Sequence, residues 1–217
     1  MDSKRQKIIT CLGISSFYPI VDLYNKLDKT NFMGSSSKIK KSMTESGYSC
    51  AIILQVAMII ESLTGRVRYL CRTKYRNKKK IKILDFLEKY FIKEKQLIDE
   101  VREIFILRDA IVHNHLWTIS WENDEDFNEV KTYHRLLKIY GDDKFNDNID
   151  RKTRTTKKLK LNVVPIKIGK EDVKTVFGVL KEFCDLVDKK HGTSIKNFYT
   201  KWDNQTISLI DFLKKNS

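Results

Sequence analysis

Three residues near the middle of the chain, Arg108, Asp109 and His113, have side chains suited to cleaving RNA. An imidazole titrates near neutral pH, so His113 can take the proton from a ribose 2′-hydroxyl. The Arg108 guanidinium can hold the scissile phosphate and offset the charge of the transition state. Asp109 can orient the imidazole and fix its tautomer. This chemistry requires no metal ion and no cofactor.

Helical spacing predicts that one helix over residues 97–113 carries all three side chains. At about 100° per residue, the apolar residues of this segment fall on one arc, and Arg108 lies near its middle. A guanidinium on a buried stripe is unfavourable unless it is paired or faces a polar cavity. Asp109 and His113 are four residues apart, so they share a face and can hydrogen-bond. The residues of the apolar arc are Leu97, Ile98, Val101, Ile104, Phe105, Ile111 and Val112.

A purely structural role for these residues is the alternative. Arg108 can form an ion pair with Glu61 or Glu100 inside a helical bundle, and Asp109 can cap a helix. The two interpretations differ in one observable feature. A catalytic Arg108 lines an open cleft, whereas a structural Arg108 is closed off in a full ion pair.

Two further pairs near the motif have alternative interpretations. His113 and His115 suggest a metal site only if the helix breaks between them, because residues two apart on a helix point away from each other. We therefore predict no metal site. Trp117 and Trp121 either stack nucleic-acid bases or, as is more common for such a pair, anchor a core.

Hydrophobic periodicity predicts a single, mainly α domain over residues 1–217. Only 2 prolines and 8 glycines occur, and so few helix breakers favour long helices. An insertion at about 116–170 is expected to contain short strands, with a strand or hairpin at 159–168 that Pro165 limits to a sheet edge. A loop is predicted at 31–42. Helices are predicted at 17–27, 48–70, 81–92, 94–113, 171–190 and 206–215, with a short helix within 124–140.

The charge balance indicates a polyanionic partner. The chain has 42 Lys and Arg residues against 28 Asp and Glu residues, a net charge of +14. An excess of this size attracts RNA, DNA or anionic membrane surfaces, although a solvated basic surface is the alternative. Two basic strips, at 72–82 and 151–160, are expected to follow an RNA backbone, with Tyr75 available for stacking. The candidate RNA-binding residues of the first strip are Arg72, Lys74, Arg76, Lys78, Lys79 and Lys80.

Cysteine usage and hydropathy predict a cytoplasmic protein with no membrane partner. The spacings of the four cysteines suit no zinc module, and a reducing compartment is their simplest setting. Cys50 and Cys184 lie among apolar residues, as buried thiols do. The longest apolar run, 51–60, is shorter than the roughly 20 residues that a membrane span requires.

Residues 108–113, Arg-Asp-Ala-Ile-Val-His, resemble the R-(N/D/H)-x-x-x-H signature of the HEPN superfamily (higher eukaryotes and prokaryotes nucleotide-binding). The resemblance covers about 48–115 and, more loosely, 171–190. It implies a HEPN-like helical bundle and a metal-independent endoribonuclease. It also implies a homodimer in which two copies of the motif form one composite site. Arg108 and His113 would be the catalytic pair and Asp109 the polar helper, and the products would carry a 2′,3′-cyclic phosphate and a 5′-hydroxyl.

The resemblance also implies a role in antiviral defence or in a toxin system, with an antitoxin or a regulatory partner. HEPN toxins that pair with a minimal nucleotidyltransferase often carry a tyrosine where this chain has His115, so silencing by nucleotide transfer is not expected here. The rival function is a non-catalytic RNA-binding or dimerisation module. A DNA-binding regulator is disfavoured, because no segment shows helix-turn-helix spacing.

Overall fold

The computed structural model describes residues 15–30, 43–71, 81–113, 117–121, 130–134, 143–192 and 195–217. It is mainly helical, which confirms the predicted mainly α class. The helices are α1 (Phe17–Asp28), α2 (Met43–Leu70), α3 (Ile83–Tyr90), α4 (Lys95–His113), α5 (Asp143–Asn148), α6 (Lys170–His191) and α7 (Leu209–Asn216). Short 3₁₀ helices cover Ile92–Glu94, Pro165–Lys167 and Ile195–Asn197.

The strands that the structure describes form antiparallel pairs of consecutive segments. They are β1 (Trp117–Trp121), β2 (Val130–His134), β3 (Ile149–Asp150), β4 (Thr155–Thr156), β5 (Tyr199–Trp202) and β6 (Gln205–Ser208). β1 pairs with β2, β3 with β4, and β5 with β6. The region 116–170 therefore contains short strands, as predicted, and they lie between the helices α4 and α6.

The helix α2 lies at the centre of the bundle and packs against α1, α3, α4 and α6. Its buried residues between Ile52 and Val67 fall on one broad face, about 160° wide at 100° per residue, whereas Met58 on the opposite face is 51% exposed. The sequence predicts burial on most faces of this helix, and the structure buries only that one face. By length and composition alone, α2 could also cross a membrane, and half of its most apolar window is buried inside the bundle.

An aromatic cluster joins the first and last helices of the bundle. The ring of Phe212 on α7 lies 5.8 Å from Phe17, 5.7 Å from Tyr24, 5.6 Å from Phe177 and 5.6 Å from Trp202, measured between ring centroids. Most of these pairs meet edge to face, which the quadrupoles of aromatic rings favour. The cluster therefore connects α1, α6, β5 and α7 around one side chain.

A buried carboxylate attaches the region after β4 to the helix α4. Glu103 is only 2% exposed, and its two oxygens each accept a backbone N–H, from Lys158 and from Leu159, at 2.8 Å. One helical turn earlier, Asp99 pairs with the ammonium of Lys158. Burying a carboxylate is unfavourable unless it is hydrogen-bonded, and here the bonds fix the path of the chain beside α4.

The predicted strand at 159–168 is wrong. Within that range Asn162 forms a single isolated bridge with Thr155, and Pro165–Lys167 is a 3₁₀ helix. The apolar pattern has another cause, because this segment lies over the helical core and buries side chains there without pairing as a strand. Proline suits the start of the 3₁₀ helix since it has no N–H to donate. The buried side chains are Leu161, Val163, Val164 and Ile168.

The predicted helix at 206–215 begins only at Leu209, because the preceding residues form the hairpin β5–β6. Asp203 and Asn204 make its two-residue turn with φ of 49° and 61°. Two consecutive left-handed residues are typical of a type I′ turn, which Asn and Asp tolerate. Ser208 then begins α7, where its hydroxyl accepts the backbone N–H of Asp211 at 3.1 Å.

The other predicted elements agree with the structure to different degrees. The helices predicted at 17–27, 48–70, 94–113 and 171–190 are confirmed with ends shifted by a few residues, and the one at 81–92 is shorter, ending at Tyr90. Gly192, at φ 57°, ends α6 in the left-handed conformation that glycine favours. The helix predicted within 124–140 is wrong at 130–134, which forms β2. The loop at 31–42 lies outside the described residues.

Glu103→Ala should lower the free energy of unfolding by roughly 2–4 kcal/mol, because two partly buried backbone N–H groups lose their buried acceptor. Urea denaturation measures this change. The matched control is Glu182→Ala, at an exposed position on α6, which should change the free energy by less than about 0.5 kcal/mol. Equal stability of the two variants would contradict the role assigned to Glu103.

Candidate functional site

The three residues of the motif lie on the last two turns of α4, at the edge of the core. The side chain of Arg108 is 33% exposed and that of Asp109 is 15% exposed, while His113 is exposed at the end of the helix. Val112 was predicted to be buried and is 57% exposed. The apolar arc therefore ends before the final turn of α4, and Arg108 lies at the boundary between core and solvent.

Two carboxylates and an aromatic ring orient the Arg108 guanidinium. Its Nε and Nη2 donate to Oδ1 of Asp109 at 3.0 and 2.8 Å, and its Nη1 lies 3.5 Å from Oε2 of Glu61 on α2. Its Cζ lies 5.0 Å from the ring centroid of Phe105, within the range of a cation–π contact. The pair with Glu61 was the structural alternative for Arg108. It forms at the long end of hydrogen-bond distance and leaves a third of the side chain exposed.

A second cation, which the sequence did not indicate, reaches the same carboxylate. Lys144 on α5 donates from Nζ to Oδ2 of Asp109, and its side chain is 45% exposed. Asp109 therefore bridges two cations, one on each oxygen. Lys144 lies 35 positions further along the chain, in the region 116–170, so no periodic pattern on a single helix connects the two residues.

This arrangement changes the protonation of Asp109. Burial raises the pKa of its carboxyl group, but hydrogen bonds from Lys144 and Arg108 and their positive charges outweigh burial and hold the pKa below its ordinary value of 3.8. The group is therefore anionic at neutral pH. A depressed pKa adds stability above the pKa of the unfolded chain, and this contribution disappears as the pH falls through the folded pKa.

Helix geometry separates the two proposed catalytic side chains within one chain. Arg108 and His113 are five residues apart, which corresponds to about 140° around the helix and about 7.5 Å along its axis. Asp109 and His113 are four apart and share a face. A carboxylate has further acceptor positions beyond those that the two cations use, so Asp109 retains capacity to orient an imidazole.

Two of the cysteines that the structure describes, Cys184 and Cys50, differ in burial. Cys184 is fully buried, which confirms that prediction, whereas Cys50 is only half-buried. Burial raises the pKa of the Cys50 thiol to about 11, although a hydrogen bond from Ser46 opposes this. A thiol with such a pKa is almost entirely protonated near pH 7, and the thiolate is the reactive form.

The candidate RNA-binding residues of the first basic strip lie outside the described residues, and they remain a prediction. They are Arg72, Lys74, Arg76, Lys78, Lys79 and Lys80. The second strip, 151–160, is described and is exposed over most of its length. Among the residues that the structure describes, no group of three or more His, Cys, Asp or Glu side chains is placed to hold a metal ion.

In comparisons with known proteins, the chain matches no family model, no curated protein and no solved structure. The resemblance to HEPN proteins therefore depends on residues 108–113 and on the helical context of that motif.

Lys144→Met should raise the pKa of Asp109 toward its ordinary value, because the carboxylate loses one hydrogen bond and one neighbouring positive charge. An NMR titration that follows the Asp109 carboxyl carbon measures this change. Lys181→Met, which removes a lysine from an ion pair with Asp185 on α6, should leave the titration of Asp109 unchanged. An unaltered Asp109 pKa in Lys144→Met would contradict the contact.

Proposed function

We propose that this chain is a metal-independent endoribonuclease of the HEPN type. It cleaves RNA through Arg108 and His113 and leaves a 2′,3′-cyclic phosphate and a 5′-hydroxyl. One observation carries the proposal: an arginine at the edge of the core is oriented by two carboxylates yet remains a third exposed. It lies on the same helix as an exposed histidine, in the order and spacing of the HEPN signature.

Arg108 and Lys144 would provide the positive charge at the scissile phosphate. Both cations contact one carboxylate, and a phosphate arriving beside Asp109 would meet the two together. The bonds to Asp109 and Glu61 use only part of the donor capacity of the guanidinium, so other N–H groups can bind an oxyanion. Because these charges are oriented before the substrate arrives, little reorganisation is needed during the reaction.

His113 would remove the proton from the ribose 2′-hydroxyl. Its exposure leaves the imidazole accessible to a substrate, and Asp109, one turn earlier, can fix its tautomer. The oxygen of the 2′-hydroxyl then attacks the adjacent phosphorus, and the bond to the 5′-oxygen of the next nucleotide breaks. That 5′-oxygen takes a proton from solvent water as it leaves, which gives the 5′-hydroxyl product, and His113 returns its proton to solvent.

A second copy of the chain would complete the site. Arg108 and His113 diverge by about 140° on one helix, so a single chain does not direct both side chains toward one phosphate. Val112 lies between them and is 57% exposed, an apolar side chain suited to a protein contact. These features support the homodimer with a composite site that the HEPN resemblance implies.

The proposed setting is a cytoplasmic defence or toxin system. A nuclease that attacks cellular RNA requires control, so an antitoxin or a regulatory partner is part of the proposal. The region 116–170, which supplies Lys144, is a natural point for such control because it contacts the site directly.

A non-catalytic RNA-binding or dimerisation module is the second candidate. The observation that favours it is the pairing of Arg108 with both Asp109 and Glu61, which also suits a structural arginine. In that case the motif would stabilise the junction of α2, α4 and α5 without chemistry.

Incubation of labelled single-stranded and structured RNA with the purified protein in EDTA separates the two candidates. Wild type should cleave, and Arg108→Ala and His113→Ala should each lower the rate by roughly 10²–10⁴-fold. The matched control, Arg102→Ala, removes an arginine from the same helix that pairs with Glu88, and its rate should remain within a few-fold of wild type.

The outcomes of this assay are distinct. Cleavage that persists in folded Arg108→Ala and His113→Ala would show that these residues are not the catalytic pair. Wild type that binds RNA without cutting it would favour the non-catalytic module. A 2′,3′-cyclic phosphate at the new 3′ end would identify the mechanism.

Mixing the two inactive variants tests the composite site. A heterodimer of Arg108→Ala and His113→Ala retains one Arg108 and one His113 on different copies. The mixture should therefore recover part of the wild-type cleavage rate, whereas each variant alone should not. Failure to recover activity, with heterodimers demonstrated by native mass spectrometry, would place both residues of each site on one chain.

A further inference from the structure

The segment 150–160, which we call the basic segment, concentrates positive charge on the surface. It holds one acidic residue, Asp150, and its sequence contains no aromatic residue. Its residues are mostly exposed, apart from the fully buried Thr156 and the partly buried Asp150, Arg154, Thr155 and Leu159. The basic residues of the segment are Arg151, Lys152, Arg154, Lys157, Lys158 and Lys160.

The backbone of the basic segment is held in place at both ends. Near its start, the carboxylate of Asp150 accepts the backbone N–H of Lys152 at 2.9 Å and that of Thr153 at 3.3 Å. Near its end, the buried Glu103 accepts the N–H groups of Lys158 and Leu159. The exposed cations therefore project from a fixed scaffold, and binding an anion there loses little backbone entropy.

Most of these cations form no salt bridge within the described residues, although hydrogen bonds from the Thr153 and Lys152 backbone and, to a smaller extent, the positive charge of Lys160 lower the pKa of the Asp150 carboxyl. Lys158 pairs with Asp99, whereas Arg151 donates to the Asn146 amide oxygen at 2.7 Å and Lys157 to the Asn146 carbonyl at 3.3 Å. Within the part of the chain that the structure describes, four cations of the segment lie in no ion pair with a carboxylate. These four, which we call the open cations, are Arg151, Lys152, Lys157 and Lys160.

The helix α5 connects the open cations to the candidate site. Asn146 on α5 contacts both Arg151 and Lys157, and Lys144, two residues earlier, contacts Asp109. The basic segment follows α5 with no intervening loop. The helix α5 therefore contacts both the open cations and the candidate site, so a polyanion bound along the basic segment would lie near the motif.

We propose that the open cations bind the phosphate backbone of RNA and hold it beside Arg108. The choice of RNA as the polyanion rests on the proposed function. The segment offers no aromatic side chain for stacking, so recognition is by charge and does not depend on base sequence. An anionic membrane fits less well, because the only large apolar residue of the segment, Leu159, is half-buried against the core.

Two triple variants test this proposal with a 2′-O-methyl RNA oligonucleotide, which binds but lacks the nucleophile for cleavage. The first removes three open cations by Lys152→Gln, Lys157→Gln and Lys160→Gln. The matched control removes three exposed lysines by Lys26→Gln in α1, Lys29→Gln just after α1, and Lys214→Gln in α7. Both variants lose the same net charge, so a difference between them reports on position.

Fluorescence anisotropy across a salt series should show a tenfold or greater loss of affinity at about 0.1 M salt for the first variant and less than about twofold for the control. The slope of log affinity against log salt should become shallower by about 2 in the first variant, since each phosphate contact to a single strand contributes about 0.7. Circular dichroism checks that both variants fold.

Equal weakening in the two variants would overturn the proposal, because net charge alone would then explain binding. It would also be overturned if the first variant lost binding to phosphatidylserine vesicles but kept binding to RNA. Wild type that binds RNA through the open cations yet never cleaves unmodified RNA would refute the proposed function and leave this surface standing. Cleavage that requires Arg108 and His113 but not the open cations would refute only the surface.

Discussion

The compensation of charge along α4 determines how the rest of the chain is arranged. This helix carries Asp99, Glu103 and Asp109 beside faces that are buried in the bundle. Each carboxylate has a partner in the region that follows α4: Lys158 for Asp99, two backbone N–H groups for Glu103, and Lys144 for Asp109, which also pairs with Arg108 of α4 itself. Residues 144–159 are thereby fixed to the helix, since leaving these carboxylates without partners would be unfavourable.

The sequence was sufficient where structure depends on local periodicity. The helix α2 was predictable because apolar residues cover most of its faces, and the end of α6 because Gly192 adopts a left-handed conformation. The helical spacing predicts Arg108 near the middle of the apolar arc, whereas it lies at the edge of the core; its pairing with Glu61 is one of the two partners that the structural alternative offers.

Elements held by distant contacts were not predictable. The apolar residues at 159–168 have the alternating pattern of a strand because they cover the helical core. The local sequence does not distinguish a strand from an irregular segment that buries the same side chains. The turn at Asp203 and Asn204 lacks the glycine that usually signals a tight hairpin, so the sequence predicts the start of a helix where β6 lies. Lys144 reaches Asp109 through the tertiary fold, and lysines are too common in this chain for one of them to stand out.

The aromatic cluster around Phe212 has a consequence for how the protein is made. Close to it, the indole N–H of Trp202 donates to the side chain of Asn25, across 177 residues of sequence. The contacts of Phe212 with α1 cannot form on the ribosome until α7 has emerged, so the packing of α1 is completed only after α7 is available. This order of events delays a closed core until α7 has been translated.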